Sequence, residues 1–122
     1  MTETTTIMIV DDSKVSRMMI SAIIKNKHPE IELIEASNGE EAIKLSIENK
    51  ISFFSVDLNM PGIDGIELIS ILKKDFPLVK YALLTANIQD AVKKKAKEVG
   101  AVCFNKPVSD DCINKMLEYF NV

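Results

Sequence analysis

The sequence alternates short apolar runs with longer segments of helical periodicity. Residues 7–10 form a continuous apolar run, and residues 13–27 follow as the first periodic segment. Such a run is typical of a strand buried on both faces. In the periodic segment the apolar positions recur at helical spacing, which predicts that they face the core: Val15, Met18, Met19, Ala22 and Ile23.

The same alternation predicts four further pairs of strand and helix. The strands are predicted over residues 31–36, 51–56, 79–84 and 101–105. The helices are predicted over residues 37–49, from about 66 to just before Pro77, over 88–99 and over 109–120. Ser37 and Glu40 match a capping box, and Gly100 marks a helix end. Five strands alternating with five helices favour a parallel sheet covered on both faces.

The amino-acid composition and net charge exclude several classes of protein. A chain of 122 residues with 47% apolar and 27% charged residues predicts one globular domain over residues 1–122. A net charge of −3 argues against nucleic acid as the main partner. No apolar run reaches the ~20 residues of a membrane span, and the first residues lack a secretory signal. Cys103, Cys112 and the single His28 form no zinc or disulfide framework, so a cytoplasmic protein is expected.

Polar residues follow four of the predicted strands. Asp11 and Asp12 follow the first strand, Asp57 the third, Thr85 the fourth and Lys106 the fifth. Each taken alone fits a turn, a helix cap or a solvated lysine. Together they are expected to meet, because ligand sites in such sheets form at the carboxyl ends of strands.

These side chains, once close together at the edge of the sheet, form a group with a defined chemistry. Three close carboxylates repel one another by roughly 1–4 kcal/mol per pair. A divalent cation relieves that repulsion, and hard oxygen ligands suit Mg²⁺. An aspartate among them can become an aspartyl phosphate, with the metal, Lys106 and Thr85 sharing the phosphoryl charge.

Four segments together resemble the receiver domain of bacterial response regulators. In chain order and with the spacing of that family they are Asp11-Asp12-Ser13, Asp57-Leu58-Asn59-Met60-Pro61-Gly62-Ile63-Asp64-Gly65, Leu84-Thr85-Ala86 and Lys106-Pro107. The resemblance covers essentially the whole chain. It implies a flavodoxin-like, doubly wound α/β fold with a five-stranded parallel sheet in the order 2-1-3-4-5 and five helices.

The resemblance also implies roles for individual residues. Asp57 would be the phosphoacceptor, Lys106 would contact the phosphoryl group, and the Thr85 hydroxyl would move to bond it. Asp12, Asp57 and the backbone carbonyl of Asn59 would bind Mg²⁺ directly. Asp11 would act through a metal-bound water. The peptide bond before Pro107 is usually cis in the family.

The chain departs from the family pattern at one position. Three residues before Lys106, where the family has Tyr or Phe, this chain has Cys103. Phe104 cannot substitute from the next position, because alternate residues of a strand face opposite sides. We therefore predict that Phe104 is a buried core residue, that Cys103 occupies the switch position, and that no aromatic ring swings there.

The implied function is that of a phosphoacceptor in a two-component or phosphorelay pathway. Its implied partners are a histidine kinase or histidine phosphotransfer protein, and a downstream protein at the face formed by the fourth helix, fifth strand and fifth helix. The resemblance implies no enzyme beyond self-catalysed phosphorylation and dephosphorylation. Motor or receptor control in chemotaxis, a phosphorelay and a phosphate sink stay open as outputs. The basic fourth helix is either a solvated face or a docking surface for an acidic partner, with Lys93, Lys94, Lys95 and Lys97 as its charges.

Two other classes of protein share parts of this pattern. A phosphatase of the haloacid-dehalogenase type needs an acidic residue two positions after its nucleophile, where this chain has Asn59. A flavodoxin-like electron carrier needs a Ser, Thr and Gly-rich phosphate loop after the first strand, where Asp11 and Asp12 would repel a flavin phosphate.

Overall fold

In a computed structural model that describes residues 4–122, five strands form one parallel sheet. The strands are β1 Thr6–Val10, β2 Glu32–Ala36, β3 Phe53–Asp57, β4 Lys80–Thr85 and β5 Ala101–Asn105. Their order in the sheet is β2-β1-β3-β4-β5, as the resemblance implied. The order reverses next to β1, where the chain first moves to β2 and then returns to β3 on the other side.

Five helices connect or follow these strands. They are α1 Lys14–Lys27, α2 Gly39–Glu48, α3 Gly65–Asp75, α4 Asp90–Glu98 and α5 Asp110–Phe120. The hydroxyl of Ser13, the carboxylate of Asp64 and the hydroxyl of Ser109 cap α1, α3 and α5 by accepting a backbone N–H three residues ahead. Every predicted element is present, with bounds that differ by at most a few residues.

The start of α2 lies one residue later than the predicted capping box. Asn38, not Ser37, is the N-cap, and its Oδ1 accepts a hydrogen bond from the backbone N–H of Glu41 at 2.8 Å. The carboxylate of Glu41, not that of Glu40, reaches back to the backbone N–H of Ser37 at 2.7 Å. Asn caps a helix about as well as Ser, so the sequence allowed both registers.

Each face of the sheet has its own hydrophobic core. Met8 and Val10 pack on the face covered by α2, α3 and α4, whereas Ile7 and Ile9 pack on the face covered by α1 and α5. Every residue of β1 is therefore buried, which explains the continuous apolar run at residues 7–10.

The face of α1 that meets the core is not the predicted one. Ile20 and Ile24 are the fully buried residues of this helix. Val15, Met18 and Met19 are 66%, 57% and 44% exposed and Ala22 is exposed as well, so the prediction that these four face the core was wrong. Ile23 is half-buried and packs against the core as predicted.

In β5, adjacent residues face opposite layers, as predicted. Cys103 packs against the core on the α2–α4 face, and Phe104 packs against the core on the α1–α5 face. The Phe104 ring lies 5.7 Å from that of Tyr119. Phe104 is half-buried rather than fully buried, because β5 is an edge strand with a neighbour on one side only.

Within residues 4–122, none of the helices combines the length and the apolar character that crossing a bilayer requires. The predicted domain bounds of 1–122 also include residues 1–3, which lie outside the described residues.

Candidate functional site

The carboxyl edge of the sheet brings together groups that are far apart in sequence. Asp11 follows β1, Asp57 ends β3, and Lys106 follows β5. The Lys106 ammonium Nζ lies 3.1 Å from Asp11 Oδ2 and 3.1 Å from Asp57 Oδ1. The lysine therefore bridges two carboxylates across the centre of the sheet, as expected for parallel strands that all end at this edge.

Asp12 completes an acidic cluster with these two aspartates. One carboxylate oxygen from each of Asp11, Asp12 and Asp57 lies within 4.8 Å of the others. Asp11 and Asp57 are only 1% and 7% exposed, whereas Asp12 is exposed. The cluster is thus buried on one side and open to solvent on the other. Its donor set is made only of oxygen, which suits Mg²⁺.

Burial is the largest influence on the pKa values of Asp57 and Lys106. Burial raises the pKa of the Asp57 carboxyl, the charge of Asp11 raises it further, and Lys106 partly opposes both. For Lys106, burial alone would lower the pKa, but the hydrogen bonds and charges of Asp11 and Asp57 raise it overall. The lysine therefore stays charged, and one ammonium group faces three carboxylates.

Every polar group of Asp11 makes a hydrogen bond to a neighbouring residue. Its backbone N–H donates to the Ala36 carbonyl at 3.1 Å, and its carbonyl accepts from Arg17 Nη1 at 2.6 Å. Its two carboxylate oxygens accept from the Ser13 backbone N–H at 2.9 Å and from Lys106 Nζ at 3.1 Å. The Asp11 carboxylate is consequently fixed in its place within the cluster.

Thr85 connects this edge to the loop that leads into α4. It is the last residue of β4 and is 1% exposed. Its Oγ1 accepts a hydrogen bond from the Asn87 backbone N–H at 3.0 Å, and its carbonyl accepts one from the Lys106 backbone N–H at 3.0 Å. The Asn87 side chain in turn accepts from the Gln89 backbone N–H at 3.2 Å, one residue before α4 begins.

The loop after Asp57 ends at Gly65, the first residue of α3, and depends on this glycine. A Cβ added at Gly65 would lie 2.4 Å from the Asp57 carbonyl oxygen and 2.9 Å from Leu83 Cδ1. Glycine thus allows α3 to begin directly beside the backbone of Asp57. Asn59 lies exposed in this loop, and the Lys106–Pro107 peptide bond is cis, as the resemblance implied.

The family model of the response regulator receiver domain matches residues 7–118 of the chain. The chain belongs to this family. The receiver is 37% identical over 118 residues to the chemotaxis protein CheY of Listeria monocytogenes, an alignment that covers 92% of this chain and 94% of that protein.

Solved structures show the same fold. The chemotaxis protein CheY4 of Vibrio cholerae superposes with a TM-score of 0.89 at 24% identity, covering 97% of this receiver and 99% of that chain. The response regulator domain of Thermotoga maritima CheB gives a TM-score of 0.83 at 26% identity, with coverage of 98% and 95%. The flavodoxin-like fold is confirmed. The receiver is a homologue of CheY and other response regulators, and its function is that of a phosphoacceptor in two-component signalling.

Proposed function

We propose that Asp57 receives the phosphoryl group and that Lys106 and Thr85 assist it. The observation that carries this proposal is the position of the Asp57 carboxylate. It lies at the end of a buried strand, 3.1 Å from the Lys106 ammonium group and beside two further aspartates. The receiver's catalysis is then limited to its own phosphorylation and dephosphorylation.

In the proposed step, a carboxylate oxygen of Asp57 attacks phosphorus and forms a new P–O bond. The bond from phosphorus to the donor breaks, and the donor leaves with that electron pair. The donor is the phosphohistidine of a kinase or phosphotransfer protein, or a small acyl phosphate. The Lys106 ammonium pairs with the phosphoryl oxygens, where electrostatic stabilisation supplies most of the catalysis.

The donor set of the cluster fits Mg²⁺. Three carboxylates and one lysine leave two negative charges without compensation, which a divalent cation neutralises. We propose that Asp12, Asp57 and the backbone carbonyl of Asn59 hold the ion directly, with Asp11 acting through a water molecule. When bound, Mg²⁺ neutralises charge on the carboxylates and on the incoming phosphoryl oxygens.

The output is proposed to run through protein contacts at the α4–β5–α5 face. Four exposed lysines lie around α4 and favour an acidic partner for that helix: Lys93, Lys94, Lys95 and Lys97. The similarity to CheY makes chemotaxis the first pathway to test.

We place the receiver, as a single domain, in the cytoplasm, because Cys103 and Cys112 are both free thiols and disulfides are rare in that compartment.

The direct test is to incubate the receiver with acetyl phosphate and Mg²⁺ and to measure its intact mass. We expect one added phosphoryl group, and none after chelation of the metal. Addition at several sites, or addition that persists without any divalent cation, would contradict the proposal.

Thr85→Ala should be phosphorylated at a rate within a few-fold of the wild type but should transmit the signal poorly. The hydroxyl of Thr85 now accepts from the Asn87 backbone N–H. Its movement toward the phosphoryl group would release that loop. A hydrogen bond to a charged group is worth about 1.5–3 kcal/mol, so its loss should shift the switching equilibrium about tenfold or more.

The measurement is the change of backbone amide NMR shifts in α4 when beryllofluoride, a phosphoryl mimic, is added. Thr85→Ser keeps the hydroxyl and serves as the matched control. Full α4 shifts in Thr85→Ala would show that Thr85 does not couple the two regions.

Cys103→Ser should leave both phosphorylation and the α4 response within about twofold of the wild type. Cys103 is half-buried at the switch position but carries no ring that could swing. Serine has nearly the shape of cysteine, and at a half-buried position its hydroxyl can reach water, so the change should have little effect if the position is passive. The same NMR comparison checks this. Loss of the α4 response in a folded, phosphorylatable Cys103→Ser would assign an active role to the thiol.

A further inference from the structure

Arg17, near the start of α1, bonds to two other parts of the molecule. Its Nη1 donates to the backbone carbonyl oxygen of Asp11 at 2.6 Å, and its Nε pairs with Glu35 Oε1 at 3.0 Å. The Arg17 side chain is 14% exposed and that of Glu35 is 43% exposed. Neither residue belongs to the segments that carry the family resemblance.

The bond to the Asp11 carbonyl acts on the next residue. That carbonyl belongs to the peptide unit that joins Asp11 to Asp12, and a peptide unit is planar. Fixing its oxygen therefore fixes the plane that also contains the Asp12 nitrogen and Cα. Asp11 itself has further anchors at its N–H and at both carboxylate oxygens. Asp12 is exposed, so its orientation depends more strongly on this peptide plane.

Glu35 holds the guanidinium group in the orientation that the bond requires. It lies in β2, next to Ala36, whose carbonyl accepts the Asp11 backbone N–H. A guanidinium group presents several N–H donors in one rigid plane, so two bonds in different directions fix it. Arg17 and Glu35 thus tie α1 and β2 to the loop that carries the aspartates.

We propose that Arg17 is a positioning residue for the metal site, which keeps the Asp12 carboxylate beside those of Asp11 and Asp57 by holding the Asp11–Asp12 peptide. Glu35 supports it by fixing the guanidinium group. The inference rests on the proposed role of Asp12 as a direct Mg²⁺ ligand. It adds two residues, from a different helix and strand, to the determinants of metal affinity.

The sign of the effect separates positioning from simple electrostatics. Arg17 is a cation close to the site, so removing its charge would by itself favour Mg²⁺ binding. Positioning predicts the opposite. Arg17→Gln should weaken Mg²⁺ binding by about tenfold or more, as is typical when a group that orients a metal ligand is lost. Arg17→Lys should also weaken it, because one ammonium group cannot reproduce the planar fork.

The experiment titrates the metal alone into each folded variant and follows backbone amide NMR shifts near Asp12 and Asp57. Lys14→Gln is the matched control, since it removes one positive charge from the exposed first residue of the same helix. It should leave Mg²⁺ affinity unchanged or slightly higher. Arg17→Lys is the second variant for use if Arg17→Gln fails to fold. It keeps the positive charge, so electrostatics alone predicts an unchanged Mg²⁺ affinity, whereas positioning predicts a weaker one.

Asp12→Ala is titrated in parallel. If Asp12→Ala binds Mg²⁺ as tightly as the wild type, the proposed metal role of Asp12 fails, and this inference fails with it. If Asp12→Ala binds weakly while both Arg17→Gln and Arg17→Lys bind normally or more tightly, the metal site stands and only the positioning role is overturned. Weak binding in all three variants, with a normal Lys14→Gln, supports the inference.

Discussion

Asp57→Asn is expected to reduce phosphorylation by acetyl phosphate to background, a loss of roughly 10⁴-fold or more, as is typical when a covalent nucleophile is removed. The asparagine amide has no ionised oxygen that can attack phosphorus. The Asp11 carboxylate is held by its own hydrogen bonds, and Asp12 lies on the exposed side of the cluster, so neither should replace Asp57 as the nucleophile. Intact mass spectrometry in the presence of Mg²⁺ measures the effect. Asp75→Asn, at an exposed aspartate at the end of α3, is the control and should label normally.

Labelling of Asp57→Asn to the same extent as the wild type would mean that another residue accepts the phosphoryl group. The same variant gives a second, independent readout in its stability. Without metal, a buried carboxylate beside Asp11 and Asp12 is destabilising. Removing one such repulsion should raise the free energy of unfolding by roughly 1 kcal/mol or more.

We therefore expect Asp57→Asn to melt about 3 °C higher than the wild type in buffer with a chelator. Added Mg²⁺ should raise the melting temperature of the wild type more than that of the variant. A variant that melts lower than the wild type would show that the contact of Asp57 with Lys106 outweighs the repulsion.

Asp12→Ala is the second change with a large expected effect. It removes one carboxylate ligand from a site that has few protein ligands, so Mg²⁺ affinity and the rate of phosphorylation should each fall about 100-fold, the upper part of the range for a damaged metal site. Asp12 is exposed, so the fold should survive. The rate is followed by mass spectrometry over time, at several Mg²⁺ concentrations.

A higher Mg²⁺ concentration should partly restore the rate of Asp12→Ala, whereas no concentration should restore Asp57→Asn. Asp75→Ala is the matched control and should behave as the wild type. An unchanged rate in Asp12→Ala at low Mg²⁺ would remove Asp12 from the metal site.

The order of the elements and the edge that holds the site could be derived from the sequence. Alternating apolar runs and periodic segments predict a parallel α/β sheet, and parallel strands end at one edge. That rule alone places Asp11, Asp57 and Lys106 near one another, although 95 positions separate Asp11 from Lys106. The opposite orientation of Cys103 and Phe104 followed equally from the two-residue period of a strand.

Tertiary structure decided what local patterns leave open. In α1 the apolar residues lie on more than one side of the helix, so periodicity did not decide between Ile20 with Ile24 and Val15 with Met18; packing against α5 and the sheet did. The bonds of Arg17 to Asp11 and Glu35 depend on how a helix, a loop and a neighbouring strand meet, and no spacing in the sequence encodes that meeting. Sequence period is a property of one element, whereas a side-chain contact between elements is a property of their packing.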